Sequence, residues 1–283
     1  MSEPAVIRSL PSLRDRLRRY GQIVIAIPLL AVLAIGAVGA PVLVGHDPNR
    51  LNVRAKAESP SFTHLLGTDE FGRDILSRLA YGARITLLVA AASVLLAAAG
   101  GTLLGSVAAY AGRGVETVIM RTMDGMLCFP PILLAIFVVT FLGPSIVNLI
   151  LVIGVLYIPR FTRVVHSSTL AIRELEYVES ARALGASAVR IIGRAILPNI
   201  LAPIFVQASL AAGHAILMES GLSFLGLGPP PPAPSWGRMV EQSGRFMQLS
   251  LLPILWPSAA ISVTVLAFNL LGEIGRASCR ERV

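Results

Sequence analysis

Six stretches of this chain are apolar, at approximately 22–44, 85–110, 123–142, 145–165, 198–218 and 250–272, and polar, arginine-bearing segments separate them. A helix needs about 20 residues to cross the hydrocarbon of a bilayer. Five of the stretches meet that length directly. The fourth has a short pure core, "IVNLILVIGVLYI", and reaches full length when Arg160 and Arg163 snorkel at its end. The number and length of these segments exclude the buried helices of a soluble domain. The expected fold is an all-α integral membrane protein with six transmembrane helices. Pro28, Pro41, Pro130, Pro131 and Pro203 predict kinks or helix ends. Gly101 and Gly105, four apart in "GGTLLGSVAAY", predict a close helix–helix crossing.

One polar segment breaks the pattern. "EYVESARALGASAVRIIGRAILPN", residues 176–199, is charged yet helical in its periodicity, with apolar spans on both sides. Tyr177, Ala181 and Leu184 share a face at i, i+4 and i+7, while Glu174, Glu176 and Arg182 lie away from it. Gly185 is placed as a C-terminal cap, because it tolerates positive φ. Ser187 is placed to N-cap a second helix carrying Val189, Ile192 and Ile196, and Pro198 closes the unit before the fifth span. Periodicity alone leaves two readings open: a solvated loop helix, or a helix presented to a partner's groove.

Composition agrees with the membrane reading. The chain of 283 residues is 54% hydrophobic and 14% charged, against roughly 25% charged in soluble domains. Its net charge of +8 therefore reflects arginines flanking spans rather than nucleic-acid binding. Lys56 is the only lysine, so no G-x-x-x-x-G-K-[ST] phosphate loop can be written. Any nucleotide energy must come from another chain. Cys128 and Cys279 show neither metal nor redox spacing, and Cys128 is expected as a small packed hydrophobe. The first apolar stretch is too long for a cleavable signal, and no A-x-A-like site follows it.

Orientation follows from arginine placement. With the N-terminal tail inside, six crossings put residues 111–122, 160–197 and the C-terminus on the same side. Those segments hold 16 arginines against 8 basic residues outside. The polar segment is therefore expected to be cytoplasmic.

Glu179 through Pro198, "E-S-A-x-x-x-G" followed by "A-x-L-P", resembles the EAA loop of ABC-importer permeases. Ser180 stands where the consensus has alanine, and Ala195 where it has an aliphatic residue. "HLLGTDEFGRDILSRLAYGARITL" (64–87), "MRTMDGMLCFPPILLAI" (120–136), "ESGLSFLGLG" (219–228) and "PSWGRM" (234–239) extend the likeness to the second permease subunit of the dipeptide/oligopeptide/nickel branch. The resemblance implies a coupling helix between spans four and five, within a loop at 166–198. Its ATPase-coupling residues would be Tyr177, Glu179, Ala181, Leu184, Gly185, Leu197 and Pro198. It also implies an extracytoplasmic motif of Gly67, Thr68, Asp69, Gly72, Arg73 and Asp74. The implied partners are a paralogous permease in a heterodimer, two ATP-binding subunits carrying ATP and Mg, and an extracytoplasmic solute-binding protein. No cofactor is expected on this chain.

On that basis the chain divides into a cytoplasmic tail (1–21), a first span (22–44), an extracytoplasmic loop with an amphipathic helix (45–84) and a five-span permease core (85–272). The resemblance places it in the bacterial cytoplasmic membrane. The rival function is a secondary transporter or channel working without an ATPase. An intramembrane enzyme finds no paired catalytic groups.

Asp69, Glu70 and Asp74 do not supply the oxygen count of a calcium loop, and a capped amphipathic helix bearing Ile75, Leu76 and Leu79 at the outer membrane surface is the better reading. Arg121 and Asp124 are spaced for a side-chain pair. Trp236 suits a membrane interface after the stiff "GLGPPPPAP" turn. Glu219 and His214 lie near the outer end of span five, where ionisable groups are candidates for a gate or pathway; for His214 an interhelical hydrogen bond is equally open. Histidines at 46, 64, 166 and 214 show no metal-ligand spacing. The last residues, "EIGRASCRERV", back-translate to a common sequencing adapter, so Glu273–Val283 are expected to be a non-native tail. Without them the inside bias is 13 to 8.

Overall fold

A computed structural model describes residues 13–248 and 250–282. The N-terminal residues 1–12, with Arg8, lie outside the described residues, as does Val283. Among the described residues ten α-helices follow in order: α1 Leu13–Leu43, α2 Ile75–Tyr110, α3 Arg113–Leu127, α4 Pro131–Leu142, α5 Ile146–Arg173, α6 Glu176–Ala183, α7 Ala188–Ile191, α8 Leu197–Phe224, α9 Trp236–Gly244 and α10 Leu252–Arg282. A π-helical turn, Ile192–Ile196, joins α7 to α8. Among the described residues there is no strand, and one isolated bridge pairs Thr68 with Asp74.

Among the described residues five helices are long and apolar enough to cross a membrane, and a sixth crossing results if α3 and α4 count as one bent span. That pair turns through 87°. The third span is therefore not the single helix expected over 123–142. Pro130 and Pro131 sit at the corner; each lacks an N–H, and the first forces its predecessor out of the α region. Cys128 sits at the same corner and is exposed, not packed as expected.

The core lies where α2, α4, α5 and α8 cross, around Val89, Val139, Ile153, Phe161 and Ile216. Glycines set the α2–α5 distance. A Cβ on Gly101 would collide with the Phe161 Cβ, and one on Gly105 would fall 2.7 Å from the Thr162 carbonyl oxygen. The small-residue pair thus works as expected: backbones approach closely where lipid supplies no hydrophobic drive.

Two expected boundaries move. The amphipathic helix expected before residue 85 is the start of α2, which runs unbroken for 36 residues, or about 54 Å at 1.5 Å per residue. Ile75 packs with Trp236 and Met239 beneath α9 instead of facing the membrane surface. Trp236 is 1% exposed, and its indole donates to the Leu79 carbonyl at 2.9 Å. It is a core residue rather than an interfacial one. Likewise, Pro198 does not separate the coupling loop from the fifth span. It lies in the first turn of α8, just after the ladder has slipped to an i→i−5 bond from the Leu197 N–H to the Ile192 carbonyl. A residue with no N–H is tolerated there. α10 continues as helix through the residues expected to be non-native.

Candidate functional site

At one end of the bundle α6 stands off the spans as a short helix of 8 residues. Its one buried residue is Val178, fully enclosed with Val165 of α5, Ile191, Ile196 and Ile200. Ala181 packs partly against that cluster, whereas Tyr177 is 46% and Leu184 89% exposed. The face expected from periodicity is thus split. Val178 and Ala181 anchor the helix, and Tyr177 and Leu184 flank the anchor and stay bare. Glu176 and Glu179 occupy the first turn, where carboxylates complement the helix dipole.

The C-terminal cap is the one expected. Gly185 has φ +79°, its N–H donates to the Arg182 carbonyl at 3.0 Å, and the Ala186 N–H reaches back to the Ala181 carbonyl at 3.1 Å. These two bonds form a Schellman motif. Beyond it, Ser187 occupies the N-cap of α7 but makes no side-chain capping bond. Val189 is 82% exposed, and Ile191 takes the buried position in its place. Leu197 packs partly into the same cluster. The Asn199 amide donates to the Tyr177 hydroxyl at 3.2 Å, and Arg182 lies 5.7 Å from the Tyr110 ring centroid.

At the opposite end, the expected motif folds into a polar knot before α2. Asp69 accepts from the backbone N–H groups of Phe71 and Arg73, both at 2.9 Å, and from Arg73 Nε at 2.6 Å. Asp74 is the N-cap of α2, accepting from the Ser77 N–H and hydroxyl at 2.7 Å each. Thr68 bridges the loop, accepting from the Glu58 N–H and donating to the Ala55 carbonyl. Gly67 and Gly72 have positive φ, and a Cβ on Gly72 would collide with the Asn52 carbonyl oxygen. Arg73 and Arg78 both donate to Gln242 Oε1, at 3.3 and 3.0 Å, which fastens α9 to the knot. Glu70 is buried, and that burial raises its pKa above the usual carboxylate value. Its Oε2 has no partner among the described residues.

Glu219 is fully buried inside the protomer. Three hydroxyls donate to it: Ser223 at 2.7 Å, Thr86 at 3.1 Å and Ser220 at 3.5 Å. Ser235 in turn donates to Ser223, and the Trp236 N–H donates to Thr86 Oγ1. The carboxylate ties α2 and α8 to the start of α9. His214 points away from this network; it is exposed, and its Nδ1 bonds to the Leu210 carbonyl one turn back, at 2.8 Å. The expected Arg121–Asp124 pair is replaced by Arg163–Asp124 at 2.5 Å, which joins α5 to α3. Thr86, Ser223, Ser235, Gln242 and Val178 carry no local signal in the sequence. Two histidines expected to be scattered, His46 and His64, have ring centroids 5.1 Å apart.

The family model for binding-protein-dependent transport system inner membrane components matches residues 101–281, a span that includes α6 and Glu219. The chain belongs to this permease family. The permease is 42% identical over 258 residues to a Brucella abortus protein named for a peptide transport system, covering 91% of this chain and 87% of that protein. It is 41% identical to the dipeptide transport system permease DppC of Alkalihalophilus pseudofirmus, covering 91% and 85%. It is 38% identical to the glutathione transport system permease GsiD of Pectobacterium atrosepticum, covering 95% and 94%. Its fold matches a chain of the MetNI methionine ABC transporter in an inward-facing conformation, with a TM-score of 0.60 at 19% identity, over 71% of this chain and 95% of that one. The permease is a membrane subunit of a transport system.

Proposed function

We propose that this permease carries short peptides across the cytoplasmic membrane of a bacterium, driven by ATP hydrolysis on partner subunits. The observation that carries the reading is α6. A short helix held at the bundle's edge by Val178, with Tyr177 and Leu184 exposed, has the form of a ligand helix for a hydrophobic groove. Relatives named for peptide, dipeptide and glutathione transport support a peptide cargo.

In this reading the N-terminus and α6 face the cytoplasm, which agrees with the arginine distribution. A paralogous permease completes the pathway as a heterodimer. Two ATP-binding subunits, holding ATP and Mg, receive one coupling helix from each permease. An extracytoplasmic binding protein delivers the cargo at the α9 end, and closure of the ATPases rocks the two bundles between inward- and outward-open states. Glu219 acts in that cycle by holding α9 on α2 and α8, as a brace of the outer gate rather than as a wall of the pathway. Co-expression with the ATPase subunits should give a complex that survives purification and takes up labelled dipeptide only with ATP. Uptake by the permeases in vesicles lacking any ATPase would replace this reading with a secondary transporter.

A further inference from the structure

We propose that His46, His64 and Asp74 form a binding site for a divalent transition-metal ion of the zinc type, clipping the end of α1 to the start of α2. One nitrogen from each imidazole and one carboxylate oxygen all lie within 4.8 Å of one another. Two of the three groups are already held in place. The His64 backbone is fixed in a tight turn, its carbonyl accepting from the Ser61 and Gly67 N–H groups, both at 2.9 Å. Asp74 keeps Oδ2 on Ser77 as the cap of α2, which leaves Oδ1 facing His64 Nδ1 at 3.0 Å. The Asp74 and His64 side chains are 4% and 15% exposed.

A tetrahedral zinc ion with bonds of about 2.0–2.1 Å separates its ligand atoms by about 3.3 Å. The His64–Asp74 pair meets that spacing with a single proton between the two atoms. A metal ion takes the place of that proton, and the neutral imidazole carries its one proton on Nε2 instead. His46 follows the end of α1 by three residues and is exposed, and its ring lies tilted by 42° to that of His64. Its side chain is free to close the remaining gap. Two imidazoles and one carboxylate suit zinc and its neighbours, and disfavour calcium or magnesium, which prefer oxygen. Three protein ligands leave a fourth position for water.

The fold has a use for such a clip. Over its described side chains, 24–43, α1 buries only small residues, Ala26, Ala37 and Ala40, while Val24, Ile25, Val32, Ile35, Val38 and Val42 stay exposed within the protomer. A metal bridging residues 46, 64 and 74 would fasten this loosely packed helix.

The test uses the full chain in detergent, stripped with a chelator and titrated with Zn²⁺ against a chromophoric competitor, with Co²⁺ as a spectroscopic probe. The wild type should bind about one equivalent of Zn²⁺ and give visible Co²⁺ bands of four-coordinate intensity. His46→Ala removes a ligand from an exposed position. Asp74→Asn retains a good N-cap while removing the carboxylate. Each should weaken Zn²⁺ binding by about tenfold or more, the loss that even an outer-shell partner can cause. His166→Ala and His214→Ala should leave it unchanged. Equal affinity in wild type and His46→Ala, or no Zn²⁺ retained by the wild type, would overturn the assignment.

Discussion

The Thr86 hydroxyl donates to the Glu219 carboxylate at 3.1 Å, across 133 residues of chain and between two membrane-spanning helices. The same Thr86 oxygen accepts from the Trp236 N–H, so one side chain holds both the acid and the start of α9. Removing the acceptor leaves buried donors unpaired, at a cost of about 1–3 kcal/mol each. Glu219→Ala should therefore destabilise the permease by about 3 kcal/mol or more. Glu219→Gln keeps an acceptor oxygen and should assemble normally while altering uptake. Thermal unfolding in detergent, paired with uptake, separates the two. A Glu219→Ala protein as stable as wild type would mean that the clasp contributes nothing to holding these helices.

Gly185→Val tests the coupling reading. A Cβ at φ +79° costs about 1–2 kcal/mol, though nothing within 4 Å would obstruct it. The strain is local, so insertion should be normal, while α6 tilts and loses its presentation of Leu184. Binding-protein-stimulated ATP hydrolysis should fall severalfold, and Glu179→Ala should have a weaker effect in the same direction. Wild-type stimulation in Gly185→Val would make α6 an ordinary loop helix.

Gly101→Leu adds a branched side chain where the Phe161 Cβ leaves no room even for a methyl group. Overpacking a helix crossing costs about 1–3 kcal/mol or more. Here the nearest obstacles include the Thr162 backbone nitrogen, 2.9 Å from the position a Cβ would take, which cannot rotate away. The variant should lose folded permease in the membrane, with α2 and α5 forced apart. Gly36→Leu, in α1 with nothing within 4 Å, is the matched control and should be tolerated. Fluorescence-detected gel filtration of tagged variants measures both.

Glu70 gives a pH dependence whose sign is fixed. Burial, reinforced by the neighbouring Asp69 charge, raises its pKa above 4.5 in the folded chain. The native state then holds this proton more tightly than the unfolded state, so Glu70 lowers stability as pH rises above 4.5 through its folded pKa. Glu70→Gln should remove that loss and stabilise the permease at neutral pH. Melting temperatures of the two proteins should converge in acid and separate towards neutrality. A gap that is constant across that range would assign the effect to packing instead.

The sequence by itself determined the membrane fold, because a run of about 20 apolar residues has few stable places other than a bilayer. It also determined the α6 cap, since a helix ending in Gly185 followed by a short polar turn satisfies its last carbonyls locally. Both are short-range properties. It could not say which side of a span faces protein. Lipid and packed side chains are alike apolar, so periodicity carries little inside–outside signal here. Tyr177 and Val178 illustrate the limit in the polar loop as well, where a one-residue rotation decided which of them became the anchor. Tertiary structure alone placed Thr86 on Glu219, joined Arg73 and Arg78 through Gln242, and brought His46 to His64. It also made the start of α2 part of a continuous 36-residue helix, because Trp236 and Met239 cover Ile75 from a segment far along the chain. Those contacts depend on how the helices cross, and the crossing is set by side-chain volume at places such as Gly101 and Phe161, which no single segment contains.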